Sequence, residues 1–187
     1  MHSIIGAVAV AIIAFAATTF DGLFSFAGQL ALTNESRIRR VCVAHALAMI
    51  VLLGVSAAVA ASLSPVSERW VGVVALALLG LAIHAAQQRG APREQFARGV
   101  LTTFTMTLVR GATILLTWTA LLRANGVAHG ALMAVTFGVL EAGFLVLAHA
   151  LRHRTRLIAW GRAHPNVFVP IADLVLAVLV VWECHSF

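Results

Sequence analysis

Lysine is absent from this chain, and charge of any kind is scarce: charged residues make up 11% of its 187 residues, while 61% are hydrophobic. An ordinary soluble domain is about 25% charged and about 45–50% apolar. A chain this small cannot bury such an apolar excess within itself, because small folds keep a high surface-to-volume ratio. An ordinary soluble globule is therefore excluded, and lipid must be part of the solvent. The mean hydropathy of +0.97 agrees. Cysteine is also rare. Cys42 and Cys184 make neither a disulfide framework nor a zinc set. Catalytic signatures are missing too: there is no GxSxG elbow, phosphate-binding glycine loop or triad pattern, and no CxxC or ExxH pair. These absences predict a protein that is not an enzyme and needs no cofactor.

What is present is a set of long, unbroken apolar runs. Backbone polar groups in hydrocarbon need internal partners, so such runs form helices or a closed barrel, and runs without alternation favour helices. Six segments emerge, near residues 3–32, 41–63, 70–86, 100–122, 127–151 and 167–182. Each is long enough to cross or nearly cross a core of about 30 Å. The first exceeds an upright span and is expected to tilt, break or project beyond the core. Turn signals separate the runs: Thr33-Asn34-Glu35-Ser36, Ser64-Pro65, Gly90-Ala91-Pro92 and Asn125-Gly126. The connections leave no room for a soluble domain, so residues 1–187 form one transmembrane domain.

All thirteen basic residues are arginine. Ten lie in the first, third and fifth loops: Arg37, Arg39, Arg40, Arg89, Arg93, Arg98, Arg152, Arg154, Arg156 and Arg162. Arg69 and Arg123 alone occupy the second and fourth. Basic loops stay cytoplasmic, so both termini are expected outside a plasma (bacterial inner) membrane, with Cys42 and Cys184 near opposite faces. The net charge of +6 thus reads as topology and not as a nucleic-acid surface. Ala14-Phe15-Ala16 looks like a signal-peptidase site, but Met1-His2-Ser3 lacks a basic n-region, so the first segment is expected to stay.

Ionisable groups at membrane depth cost roughly 2.5–3.5 kcal/mol each and mark candidate sites. Asp21, Arg110, Glu141 and Asp173 are those groups. His45 and His149 fall nearer the cytoplasmic ends, where an interfacial or structural role is expected. Glu141 and Asp173 have no basic partner in their own segments; they suit cation binding or proton relay. Thr18-Thr19-Phe20-Asp21-Gly22 can be set against Thr107-Leu108-Val109-Arg110-Gly111, with Thr, a charge and Gly in register. Three helices followed by three helices give two halves, about 1–90 and 91–187, of opposite orientation. That is the inverted-repeat layout in which transporters build a midplane site. Asp21 and Arg110 are expected to face each other there, as a transport site or as a structural lock.

The Thr18–Gly22 stretch, the Gly-rich run Trp70-Val71-Gly72-Val73-Val74-Ala75-Leu76-Ala77-Leu78-Leu79-Gly80 and the entry His164-Pro165-Asn166-Val167-Phe168-Val169-Pro170 resemble the cadmium resistance transporters of the lysine-exporter superfamily. The resemblance covers nearly the whole chain at the level of pattern. It implies a six-helix carrier of two inverted halves that exports cadmium and related divalent cations, with Asp21 as a metal ligand. Gly22 stands where the family has a second acid, and Arg110 where it tends to place an anionic ligand. Three readings follow: a cation exporter using Asp21 with Glu141 or Asp173; a relative in which Arg110 attracts an anionic or zwitterionic solute; and a non-transporting protein with a structural Asp21–Arg110 pair. Gly72, Gly80, Gly138 and Gly143 allow close packing within one chain or in a homo-oligomer.

Overall fold

The computed structural model describes residues 4–62 and 99–163 and, nearer the C-terminus, residues 171, 174–176, 178, 179 and 182. The expected third segment, the second loop, Asp173 and Cys184 lie outside the described residues. The sixth segment is described only at those last positions, all of them helical. Elsewhere the described chain is helical and without strands: α1 (Ile4–Ala31), α2 (Glu35–Ser62), α3 (Val100–Arg110), α4 (Ala112–Leu151) and α5 (Thr155–Ala163).

Two helices, Glu35–Ser62 and Ala128–Leu151, are long and apolar enough to cross a membrane. A third span forms if the two pieces of α1, Ile4–Phe20 and Gly22–Ala31, count as one. Their packing suits lipid. Val43, Leu47, Ile50 and Val51 line the outer face of α2, and Val135, Val139, Val146 and Leu147 that of α4. Inside lie small residues, Ala7, Ala11 and Ala14 on α1 and Ala44, Ala48 and Ser56 on α2. Small inner faces let helix backbones approach closely where no hydrophobic force acts between helices. Gly138 and Gly143 lie on the outer side of α4 with open space beside them.

The Asn125-Gly126 turn signal marks a reversal. Gly126 adopts φ 68°, ψ 179° inside α4, a region essentially reserved for glycine. Trp118 and Phe137, 19 residues apart, touch edge to face at a centroid distance of 4.8 Å. In a straight helix they would be about 28 Å apart. The α4 chain therefore doubles back at Gly126. Gly126→Ala is expected to lower stability by about 1–3 kcal/mol, read as a drop in the detergent melting temperature.

The doubled chain sets the topology. α2 runs alongside α3 and the first half of α4: His45 meets Thr107, and the Ser56 hydroxyl donates to the Leu115 carbonyl at 3.3 Å. The second half of α4 returns antiparallel to α2 and parallel to α1, with Phe15 against Phe137 (5.3 Å) and Phe26 near Phe144 (6.0 Å). Arg152 then donates two hydrogen bonds to Glu35, at 2.8 and 3.2 Å. Gln29, near the end of α1, donates to Thr103 at the start of α3. The first loop, the end of the third and the fifth therefore share one end of the bundle.

Two features differ from the sequence expectation. The fourth segment is not one helix: α3 stops at Arg110, and Gly111 (φ −76°, ψ 5°) separates it from α4. A Cβ at Gly111 would run into the Leu52 side chain of α2, so close packing requires glycine there. The fifth loop also contains a helix. α5 buries Ile158 and lays Gly161 against the Phe24 ring of α1, leaving Trp160 and Leu157 exposed.

Candidate functional site

Of the charged residues singled out from sequence, Asp21, Arg110 and Glu141 fall in one layer along the backbone, and Asp173 lies outside the described residues. Asp21 lies ten residues before the end of α1, Arg110 ten after the start of α3, and Glu141 ten before the end of α4. His45, ten residues into α2, joins them. All these helix ends lie at the same end of the bundle. At 1.5 Å per residue the layer is about 15 Å deep, half the thickness of a bilayer core.

Both stretches aligned from sequence are helix interruptions. α1 bends by 53° between Phe20 and Gly22. Just before the bend, the Thr18 and Thr19 hydroxyls donate to the carbonyls of Ala14 and Phe15 at 2.8 and 2.7 Å. Such back-bonding competes with the helical ladder and favours bending. The other stretch, Thr107–Gly111, ends at the α3–α4 break. There the Gly111 N–H donates to the Leu108 carbonyl, three residues back, at 3.1 Å. The side chains of Asp21 and Arg110 lie outside the described residues, so their backbones share a level and their pairing stays an expectation.

Glu141 is a candidate whose side chain lies among the described residues. It is 6% exposed. His45 Nε2 stands 3.4 Å from Glu141 Oε1, and His45 Nδ1 lies 3.0 Å from the Thr107 hydroxyl. Neither carboxylate oxygen of Glu141 has a hydrogen-bond partner among the described residues. The imidazole lies nearly parallel to the rings of Phe26 (4.4 Å, 28°) and Phe144 (5.4 Å, 16°). Four helices therefore build the cluster: α1 gives Phe26, α2 His45, α3 Thr107, and α4 Glu141 and Phe144. His45, expected near an interface, instead supplies the basic neighbour that Glu141 lacks in its own segment. Sequence could not pair them, since 96 residues separate the two. Their common depth was the available signal.

One turn towards the loop end, an open groove of about 450 Å³ lies between α2 and α4, lined among others by Glu35, Arg39, Cys42 and His149. The Gln29–Thr103 hydrogen bond (2.6 Å) lies one turn from Thr107 along α3. No cluster of three or more metal-ligating His, Cys, Asp or Glu side chains occurs among the described residues. Asp21, with its side chain outside them, is not placed in any ligand set. Compared with known protein families, curated proteins and solved structures, the chain matches none.

Proposed function

We propose that the chain is a multi-pass carrier of the bacterial inner membrane that exports a small solute. Six spans form two inverted three-helix halves, the arginine-rich loops are cytoplasmic, and both termini are outside. The observation that carries this reading is the pair of interrupted helices. Thr18–Gly22 and Thr107–Gly111 were aligned by sequence alone, and each coincides with a bend or break at the same depth. Helices interrupted at matching positions of two halves are where transporters of this architecture hold cargo.

The resemblance to cadmium-type permeases makes a divalent cation the first cargo to test. Asp21 is the retained carboxylate, and Glu141 or Asp173 would complete an oxygen shell. Expression in cells lacking cadmium efflux is expected to lower cadmium accumulation, and Asp21→Ala is expected to abolish the effect. Equal accumulation with and without the chain would remove the cation reading.

Arg110 favours a second cargo. A guanidinium keeps its charge at any accessible pH and repels a divalent cation. Arg110 ends α3 two residues before α4 begins at Ala112, and the N–H groups of a helix start attract anions. An anionic or zwitterionic solute would then cross, and its flux would vanish in Arg110→Ala. A folded chain silent in both assays would instead hold Asp21 and Arg110 as a structural lock.

A further inference from the structure

We infer that Glu141 and His45 form a proton-binding site inside the membrane, at the level of the proposed cargo position, where Glu141 would hold either the proton or a cation. The inference holds whether or not a solute crosses at Asp21 and Arg110. A carboxylate alone in hydrocarbon costs several kcal/mol, and so does an imidazolium alone. One proton shared between them makes the pair neutral overall, in either of two arrangements. The proton sits on Glu141 Oε1 facing a neutral imidazole, or it moves to His45 Nε2, leaving carboxylate and imidazolium 3.4 Å apart. No net charge enters or leaves in that step.

A proton fits this place better than a metal ion does. A hard cation needs six or more oxygen ligands and a soft one needs thiolates or several imidazoles, whereas the described residues gather no set of three ligating groups. The proton also has a path. The groove begins one turn away, with Cys42 three residues before His45 and Leu145 four after Glu141. Water there can deliver or remove the proton.

Thr107 links the site to the break in α3. Its hydroxyl donates to Nδ1 when that nitrogen is bare and accepts when Nδ1 carries hydrogen. In both arrangements Nε2 exchanges the proton and Nδ1 keeps its hydrogen, so Thr107 accepts from Nδ1 throughout and holds the tautomer, three residues from Arg110. The charged and titratable groups on the described surrounding elements are Asp21 on α1, Glu35, Arg37, Arg39, Arg40 and Cys42 on α2, Arg110 on α3, and Arg123, His129 and His149 on α4 with Arg152 just beyond its end. Of these, Asp21 is the other acid at the same depth, so the test must separate the two.

The full chain in lipid bilayers is titrated from about pH 4 to about pH 10 and followed by infrared difference spectroscopy. A protonated-carboxyl band should be lost as pH rises, be missing in Glu141→Gln, and remain in Asp21→Asn. In His45→Gln its midpoint should move by about 1–3 pH units. A second measurement needs no change at Glu141. In histidine-labelled protein, the nitrogen resonance of His45, assigned by its loss in His45→Gln, should titrate together with the carboxyl band. A band unaffected by Glu141→Gln, one removed by Asp21→Asn, a midpoint unmoved in His45→Gln, or a His45 signal constant across the range would each overturn the inference.

Discussion

Phe137→Ala is expected to cost about 3–5 kcal/mol of stability, the range for removing a large buried aromatic ring. Phe137 is 2% exposed and touches two rings edge to face, Phe15 of α1 and Trp118 of the first half of α4. It therefore ties three passes of the chain together. Trp118 and its neighbours cannot close the gap without moving the Gly126 reversal. By soluble-protein scaling, the loss corresponds to a fall in melting temperature of roughly 6–20 °C, readable by heating the detergent-solubilised chain and measuring the remaining monodisperse fraction. Val139→Ala, on the lipid-facing side of the same helix, should change it little. Equal effects at both positions would mean that Phe137 is not the junction of these helices.

Replacing His45 by leucine should cost about 3 kcal/mol, because it leaves the buried Glu141 carboxyl without its neighbour. The informative comparison is the double variant. With Glu141→Leu added, no unpartnered carboxyl remains, and apolar replacement of a whole buried pair is often neutral or stabilising. The double variant should recover most of the lost stability. Independent positions would give additive losses, so a double variant less stable than either single one would show that His45 and Glu141 do not interact.

The two or three long apolar helices among the described residues were legible in sequence because hydropathy and turn chemistry are local properties. Asn125-Gly126 is an example: the dipeptide signals a turn, and Gly126 takes a backbone conformation that side chains resist. The arginine bias was legible for the same reason, and Glu35–Arg152 and Gln29–Thr103 place parts of all three arginine-rich loops at one end. The break at Gly111 was less visible. A glycine in an apolar run is compatible with a continuous helix, and only the approach of Leu52 from another helix explains why it is needed. The partnership of His45 with Glu141 was hidden, because it depends on which faces of α2 and α4 meet. α5 was read as loop because its arginines mask a short amphipathic helix; what anchors it is the contact of Gly161 with Phe24 on α1.

The middle layer unites these elements. Thr18–Gly22 and Thr107–Gly111 carry opposite charges at matched positions, and the backbone is interrupted at both. The proton site at Glu141 and His45 lies at the same depth on the two helices between them. A carrier needs such a layer reachable by water, whereas a structural lock needs it dry.

Water access at positions 21 and 110 decides between them. Single cysteines introduced as Asp21→Cys and Arg110→Cys, in a chain with Cys42 and Cys184 changed to serine, can be challenged in membranes with a thiol reagent that does not cross lipid. A carrier predicts labelling at both positions and none at Val139→Cys on the lipid-facing side. Protection at 21 and 110 as complete as at 139 would contradict a solute path through this layer.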